Sequence, residues 1–101
     1  MSDTSNDIWE HGVFVKLIGN KNIIKIVDFL AGNSPGSYSK SEICTFLGMS
    51  RSNVYKVWPL LEEFNIIKST RSCGRFRFYA LNKDNPIVRN LIKLKILTEV
   101  Q

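Results

Sequence analysis

Apolar residues recur at helical spacing in two stretches of the chain. Residues 22–31 and residues 51–64 each carry four of them at positions i, i+3, i+4 and i+7, a spacing that places all four on one face of a helix. The first set is Ile23, Ile26, Val27 and Leu30, and the second set is Val54, Val57, Trp58 and Leu61. We therefore predict two helices that each bury one face.

A shorter helix is predicted between them, over residues 40–47. Ser39 and Glu42 have the spacing of a capping box at its start. Gly48 can adopt the positive φ that commonly ends a helix, and Ser50 can cap the helix that follows. The apolar positions of the short helix are Ile43, Cys44 and Leu47.

A β-hairpin is predicted after the helices. Residues 66–70 and 75–81 have the composition of strands and enclose the turn residues 72–74. Alternation in the second strand predicts that one set of side chains faces the core and the other does not. The predicted buried set is Phe76, Phe78 and Ala80, and the other set is Arg75, Arg77 and Tyr79. Tyr38 is expected to make a brief extended pairing, and Asn65 to end its helix in the left-handed conformation.

Both ends of the chain are also rich in apolar residues. Residues 8–18 are predicted as a short helix or an extended segment packed on the body. A last helix is expected from residue 87 to about residue 100, with Asn85 as its cap and Pro86 at its first position. Its apolar residues exceed the needs of one buried face: Ile87, Val88, Leu91, Ile92, Leu94, Ile96, Leu97 and Val100. This surplus predicts either a homodimer through the C-terminal helix or cover by the N-terminal segment within one chain.

The order of these elements predicts a mostly α fold with a small β-hairpin. A short helix, a glycine turn and a capped basic helix form the pattern of a helix-turn-helix, and the hairpin makes it the winged variant. We divide the chain into three parts. These are an N-terminal segment at 1–19 that packs on the body or a dimer interface, a winged helix-turn-helix at 20–82, and an additional C-terminal helix at 83–101.

Charge is concentrated in the middle of the 101-residue chain, whose formal net charge is +5. Residues 39–82 carry seven basic and three acidic side chains, a net charge of +4, whereas residues 1–38 carry three basic and four acidic ones. A basic central segment suits a nucleic-acid partner. The two cysteines form no zinc-site pattern, and no apolar run reaches 18 residues. We expect a cytoplasmic protein without a membrane segment.

The exposed face of the third predicted helix carries candidate DNA contacts. Arg51 can donate two hydrogen bonds to a guanine edge, and Ser52 can reach several bases. Tyr55 and Lys56 can contact phosphates, as can the free N–H groups at the Ser50 end of the helix. Other candidates are Lys40 at a phosphate and Arg71, Arg75 and Arg77 of the hairpin, along the backbone or in the minor groove.

Pro59 lies inside this same helix. Proline removes a backbone donor and crowds the carbonyl one turn earlier, so we predict a bend with Pro59 on the convex, outward side. The bend would carry Glu62 and Glu63 away from DNA phosphates. The alternative is that Pro59 is tolerated because an exposed carbonyl can bond to water.

No catalytic or cofactor site is predicted. His11 is the only histidine, and Glu62 and Glu63 form an acidic pair at a helix end rather than an acid/base pair. The sequence contains no glycine-rich phosphate loop and no metal-ligand spacing. We therefore expect a protein that is not an enzyme and binds no cofactor.

Four motifs resemble the winged helix-turn-helix domains of archaeal transcriptional regulators. They are SKSEI, LGMSRSNVY, LLEEFNII and GRFRFYALNKDNPIV, and the resemblance covers about residues 20–97. It implies a DNA-binding regulator, commonly a homodimer, with the third helix in the major groove of double-stranded DNA. Asn53, where threonine is common, and Cys73 depart from the pattern.

Two alternatives remain at this point. One is a winged helix used as a protein-interaction module, and the other is a nonspecific, chromatin-like DNA binder. An interaction module need not keep basic residues on both the third helix and the hairpin. A nonspecific binder would show salt-dependent binding with little discrimination between sequences.

Overall fold

The computed structural model describes residues 12–99 of the chain. It contains five helices in this range: α1 (Val13–Ile18), α2 (Lys21–Gly32), α3 (Lys40–Leu47), α4 (Arg51–Glu63) and α5 (Pro86–Glu99). The two strands are β1 (Ile67–Cys73) and β2 (Phe76–Leu81). The predicted order of elements is thus confirmed. For residues 13–18 of the N-terminal segment, where the sequence left a helix or an extended segment open, the structure shows a helix. Trp9 and His11 lie outside the described residues.

Local hydrogen bonds fix the helix ends as predicted. Ser39 Oγ accepts a bond from the Glu42 N–H at 3.2 Å, and the Glu42 carboxylate accepts one from the Ser39 N–H at 2.9 Å, which completes the capping box. Gly48 ends α3 with φ 63°, and Ser50 Oγ accepts a bond from the Asn53 N–H. The turn between α3 and α4 is therefore set by residues within it.

The buried faces of α2, α3 and α4 meet the base of the hairpin in one core. Trp58 of α4 is 1% exposed, and its ring meets the Tyr79 ring edge-on at 5.0 Å between centroids. Leu17 of α1 and Val88 of α5 belong to the same cluster. Because α4 is held by its apolar face, its opposite face is left open to solvent.

The hairpin is an antiparallel pair with an irregular register. Ile67 pairs with Leu81 and Cys73 with Phe76, and the register shifts between Ser69 and Arg71. The strand pairing extends further toward the tip of the hairpin than predicted, because β1 continues to Cys73 and the turn comes at residues 74–75. Cys73 therefore ends a strand.

The predicted alternation of β2 is wrong at Tyr79 and at Phe76. Tyr79 is 6% exposed although it was placed on the open face, whereas Phe76 is 59% exposed although it was placed in the core. Tyr38 explains the first error, because its backbone exchanges two hydrogen bonds of 2.8 Å with Tyr79. The base of β2 thus has neighbours on both edges and packs Tyr79, Ala80 and Leu81 together, whereas its tip projects beyond the core. The predicted extended pairing of Tyr38 is confirmed.

Helix α5 packs against the core at its start and is largely exposed toward its end. Asn85 Oδ1 caps its start by accepting from the Ile87 N–H at 2.8 Å, and Val88 is fully buried. Further along, Leu94, Ile96 and Leu97 are each more than half exposed. No helix within residues 12–99 is both long and apolar enough to cross a membrane.

One ion-pair network ties α5 to the body. The Lys95 ammonium contacts the Asp28 carboxylate of α2 and the Glu99 carboxylate one turn later in α5. The hydrogen bond that Lys95 donates to Asp28, followed by the one it donates to Glu99, raises the pKa of Lys95 above its ordinary value. Among the described residues, these are the only salt bridges.

Candidate nucleic-acid interface

The exposed face of α4 carries the side chains that the sequence placed there. Arg51, Ser52, Tyr55 and Lys56 are all exposed, whereas Val54, Val57, Trp58 and Leu61 of the same helix are buried. Ser50 is exposed at the N-terminus of α4, where free backbone N–H groups favour a phosphate. This face can therefore meet a ligand without any rearrangement of the core.

The hairpin presents its basic residues in two places. Arg71 lies with its guanidinium carbon 4.1 Å from the Phe78 ring centroid, a cation–π contact on β1. Arg75 lies in the turn, and Arg77 pairs with Ser72 near the tip. All three arginines are exposed.

A polar cleft separates the hairpin from the helices, and we call it the wing cleft. It has a volume of about 320 Å³ and includes basic residues from two elements, Lys40 of α3 and Arg75 and Arg77 of the hairpin. Its other lining residues are Ser39, Ser41, Tyr55, Phe76 and Tyr79. The tertiary structure thus brings together four of the predicted contacts, Lys40, Tyr55, Arg75 and Arg77. Arg51, Ser52, Lys56 and Arg71 lie outside this cleft.

Two aromatic rings hold Lys40 at the cleft. Its ammonium nitrogen lies 5.0 Å from the centroid of the Tyr55 ring and 5.2 Å from that of Trp58. Both distances are within the range of a cation–π attraction. A flexible lysine is in this way positioned by the helix that carries the other candidate contacts.

The positive charge of this surface is not neutralised within the described part of the chain. Every salt bridge there involves Lys95 of α5, which does not line the cleft. The Glu42 carboxylate, adjacent in sequence to the cleft residues, is engaged with the Ser39 N–H. The surface can therefore attract an anion without first breaking an internal ion pair.

Some cleft residues were not among the predicted contacts. Ser39, Ser41, Phe76 and Tyr79 line it beside the predicted residues. Ser39 was assigned only to capping, and Tyr79 was assigned to an open strand face. No local signal identifies Tyr79 as a cleft residue, because its position depends on Tyr38 and Trp58, which are distant in sequence.

The described residues contain no candidate metal site. Between residues 12 and 99, no group of three histidine, cysteine or acidic side chains is arranged to hold a metal ion. Cys44 is buried and Cys73 is exposed, and both are free thiols.

Solved structures share this arrangement of helices and hairpin. The homodimeric winged helix-turn-helix DNA-binding domain of a possible ArsR-family transcriptional regulator from Mycobacterium bovis aligns over 98% of this chain and 88% of its own, with a TM-score of 0.67 and 19% identity. The chain has the winged helix-turn-helix fold. With that fold, α3 and α4 form the helix-turn-helix and β1–β2 is the wing.

Two further structures agree with this assignment. The antimony-specific transcriptional repressor AntR aligns over 100% of this chain and 87% of its own, with a TM-score of 0.66 and 20% identity. A MarR family regulator from Neisseria meningitidis aligns over 97% and 75%, with a TM-score of 0.59 and 18% identity. No protein-family model and no curated protein matches the sequence. At these identities the likeness establishes the fold.

Proposed function

We propose that this protein is a transcriptional regulator that binds double-stranded DNA. The recognition helix α4 would enter the major groove, where Arg51 and Ser52 contact base edges and Tyr55 and Lys56 contact phosphates. The wing would lie on the backbone or in the minor groove. A role at duplex DNA implies a cytoplasmic protein that acts by binding rather than by catalysis. The archaeal-type subfamily is part of this proposal and is supported by the four sequence motifs.

One observation carries this proposal. Helix α4 exposes Arg51 and Lys56, the wing exposes Arg75 and Arg77 at a cleft that Tyr55 of α4 also lines, and these basic side chains have no acidic partner among the described residues. An interaction module would have no physical need for unpaired cations on both elements. The solved structures of similar fold include proteins described as transcriptional regulators or repressors, which supports the same role.

We further propose that the protein acts as a homodimer through α5. The exposed side chains of Leu94 and Leu97, three residues apart on one face of α5, form an apolar surface that no other described residue covers. A groove of about 430 Å³ between α1 and α5 continues this surface and includes Phe14, which is 74% exposed. A two-fold dimer would place two recognition helices in successive major grooves, about 34–36 Å apart, so its DNA site would be an inverted repeat.

Salt-dependent DNA binding tests the main proposal. We expect fluorescence anisotropy with labelled duplexes to show binding that weakens steeply between about 50 and about 200 mM salt, because each neutralised phosphate releases counterions. Fragments selected from genomic DNA should bind more tightly than scrambled duplexes of equal length. Equal affinity at both salt concentrations would refute phosphate binding, and salt dependence without selectivity would identify a nonspecific binder.

A further inference from the structure

The wing cleft has the composition of a discrete anion site. Lys40, Arg75 and Arg77 line it, and none of its eight lining residues is acidic. Its volume of about 320 Å³ is several times the ~30 Å³ that one water molecule occupies in the liquid. The cleft therefore has the charge and the space to hold a phosphate group.

The three cations come from two separate elements of the fold. Lys40 is in the first turn of α3, whereas Arg75 and Arg77 are at the projecting end of the wing. With no anion between them, these like charges repel. An anion that contacts both sides would remove the repulsion and draw the wing toward the helices.

Backbone donors add to the side chains at this position. The capping box uses the N–H groups of Ser39 and Glu42. The N–H groups of Lys40 and Ser41, at the same helix start, have no partner among the described residues. These N–H groups are at the N-terminal end of α3, where the helix dipole favours negative charge.

Lys40 is oriented before any anion arrives. The Tyr55 and Trp58 rings both attract its ammonium group, and Tyr55 itself lines the cleft. A lysine held in this way loses less conformational freedom on binding than one that is free in solvent. The ring of Tyr55, rather than its hydroxyl, makes this contact.

We propose that the wing cleft binds a single phosphodiester of the DNA backbone, clamped between Lys40 and the wing arginines, with Tyr55 as the positioning residue for Lys40. This inference rests on the proposed function and makes it more specific. Arg75 and Arg77 then contact the backbone rather than the minor groove. One phosphate then couples the wing to Lys40 of α3, which Tyr55 of α4 positions, so the wing sets how deeply α4 enters the groove.

Titration with inorganic phosphate tests the cleft without DNA. We expect two-dimensional NMR at constant ionic strength to show shifts concentrated in the amide signals of residues 39–42 and the side-chain signals of Arg75 and Arg77. Lys40→Ala should abolish them, and Lys68→Ala, an exposed wing residue outside the cleft, should leave them unchanged. Shifts spread evenly over all exposed basic residues would overturn a discrete site.

Methylphosphonate DNA distinguishes a backbone phosphate from a free one. We expect one uncharged linkage in each half-site to weaken DNA binding by the wild-type protein more than DNA binding by the Lys40→Ala variant, because the variant has already lost one of the contacts to that phosphate. Lys40→Ala should also make the salt slope shallower by about one. If no linkage position shows this coupling although the wild-type chain binds duplex DNA, the phosphodiester assignment is wrong while the proposed function stands.

Tyr55 variants test the positioning role. Tyr55→Phe keeps the ring and should retain the phosphate-induced shifts of residues 39–42, whereas Tyr55→Leu should weaken them. Double substitution of Lys40 and Arg77 should weaken DNA binding by less than the product of the two single effects, because both contact the same phosphate. Fully multiplicative effects, or equal phosphate binding by Tyr55→Phe and Tyr55→Leu, would contradict the clamp.

Discussion

At the scale of single residues, Arg51 is the side chain expected to recognise bases. It is exposed at the first position of α4 and makes no salt bridge within the described part of the chain. We expect Arg51→Ala to reduce the preference for a selected site over a scrambled duplex by about 1–3 kcal/mol, the value of a bidentate base contact. Anisotropy titrations of both duplexes measure this difference directly.

Arg75→Ala is the matched control for Arg51→Ala. It removes the same charge, but a residue bound to the backbone should weaken selected and scrambled duplexes by the same factor. If Arg51→Ala also weakens both duplexes equally, Arg51 contacts the backbone and another residue recognises the bases.

At the scale of elements, the turn between α3 and α4 depends on Gly48. Its φ of 63° is in the left-handed region, and an added Cβ would meet nothing within 4 Å, so backbone strain alone determines the effect. We expect Gly48→Ala to destabilise the protein by about 1–2 kcal/mol. Denaturant unfolding monitored by circular dichroism provides the measurement.

Gly32→Ala is the control for Gly48→Ala. Gly32 also has open space around its Cβ position, but it is in α2 without a positive φ. The alanine should therefore stabilise the protein by about 0.4–1 kcal/mol. Destabilisation of similar size by both substitutions would mean that backbone strain at Gly48 is not the cause.

A second prediction at this scale concerns Pro59, inside helix α4. This residue is exposed inside α4, so the alanine variant can be made without loss of core packing. We expect Pro59→Ala to straighten the helix, bring Glu62 and Glu63 closer to the DNA phosphates and weaken binding. Unchanged DNA affinity, or a helix that is already straight in the wild-type protein, would support simple tolerance of the proline.

At the scale of the whole molecule, the open surface of α5 predicts a dimer. Leu97 is 62% exposed in the single chain, so Leu97→Glu should leave the fold intact while placing charge in the proposed interface. We expect a monomer by analytical ultracentrifugation, with weakened binding to an inverted repeat. Deleting residues 87–101 is a coarser test, because it also removes Val88 from the core.

Lys83→Glu serves as the control for Leu97→Glu, since Lys83 is an exposed position in the loop before α5 and lies outside the proposed interface. It should remain dimeric. A Leu97→Glu variant that stays dimeric and folded would exclude this part of α5 from the interface.

The sequence by itself determined those features that depend on neighbouring residues. Ile23, Ile26, Val27 and Leu30 define a buried helix face because the helical repeat brings them together within one element. The capping box at Ser39 and the left-handed residue Asn65 were predictable for the same reason, since their hydrogen bonds or backbone conformations involve only nearby residues. The outward face of α4 followed directly from its buried one.

Only the tertiary structure decided how distant segments share space. The burial of Tyr79 depends on Tyr38 and Trp58, and alternation within β2 contains no information about either. Likewise, Lys40, Tyr55 and Arg77 were separate candidates in the sequence, and the wing cleft exists because the hairpin folds back against the two helices. Local periodicity specifies which face of an element is buried, but the position of one element against another is set by packing among all of them.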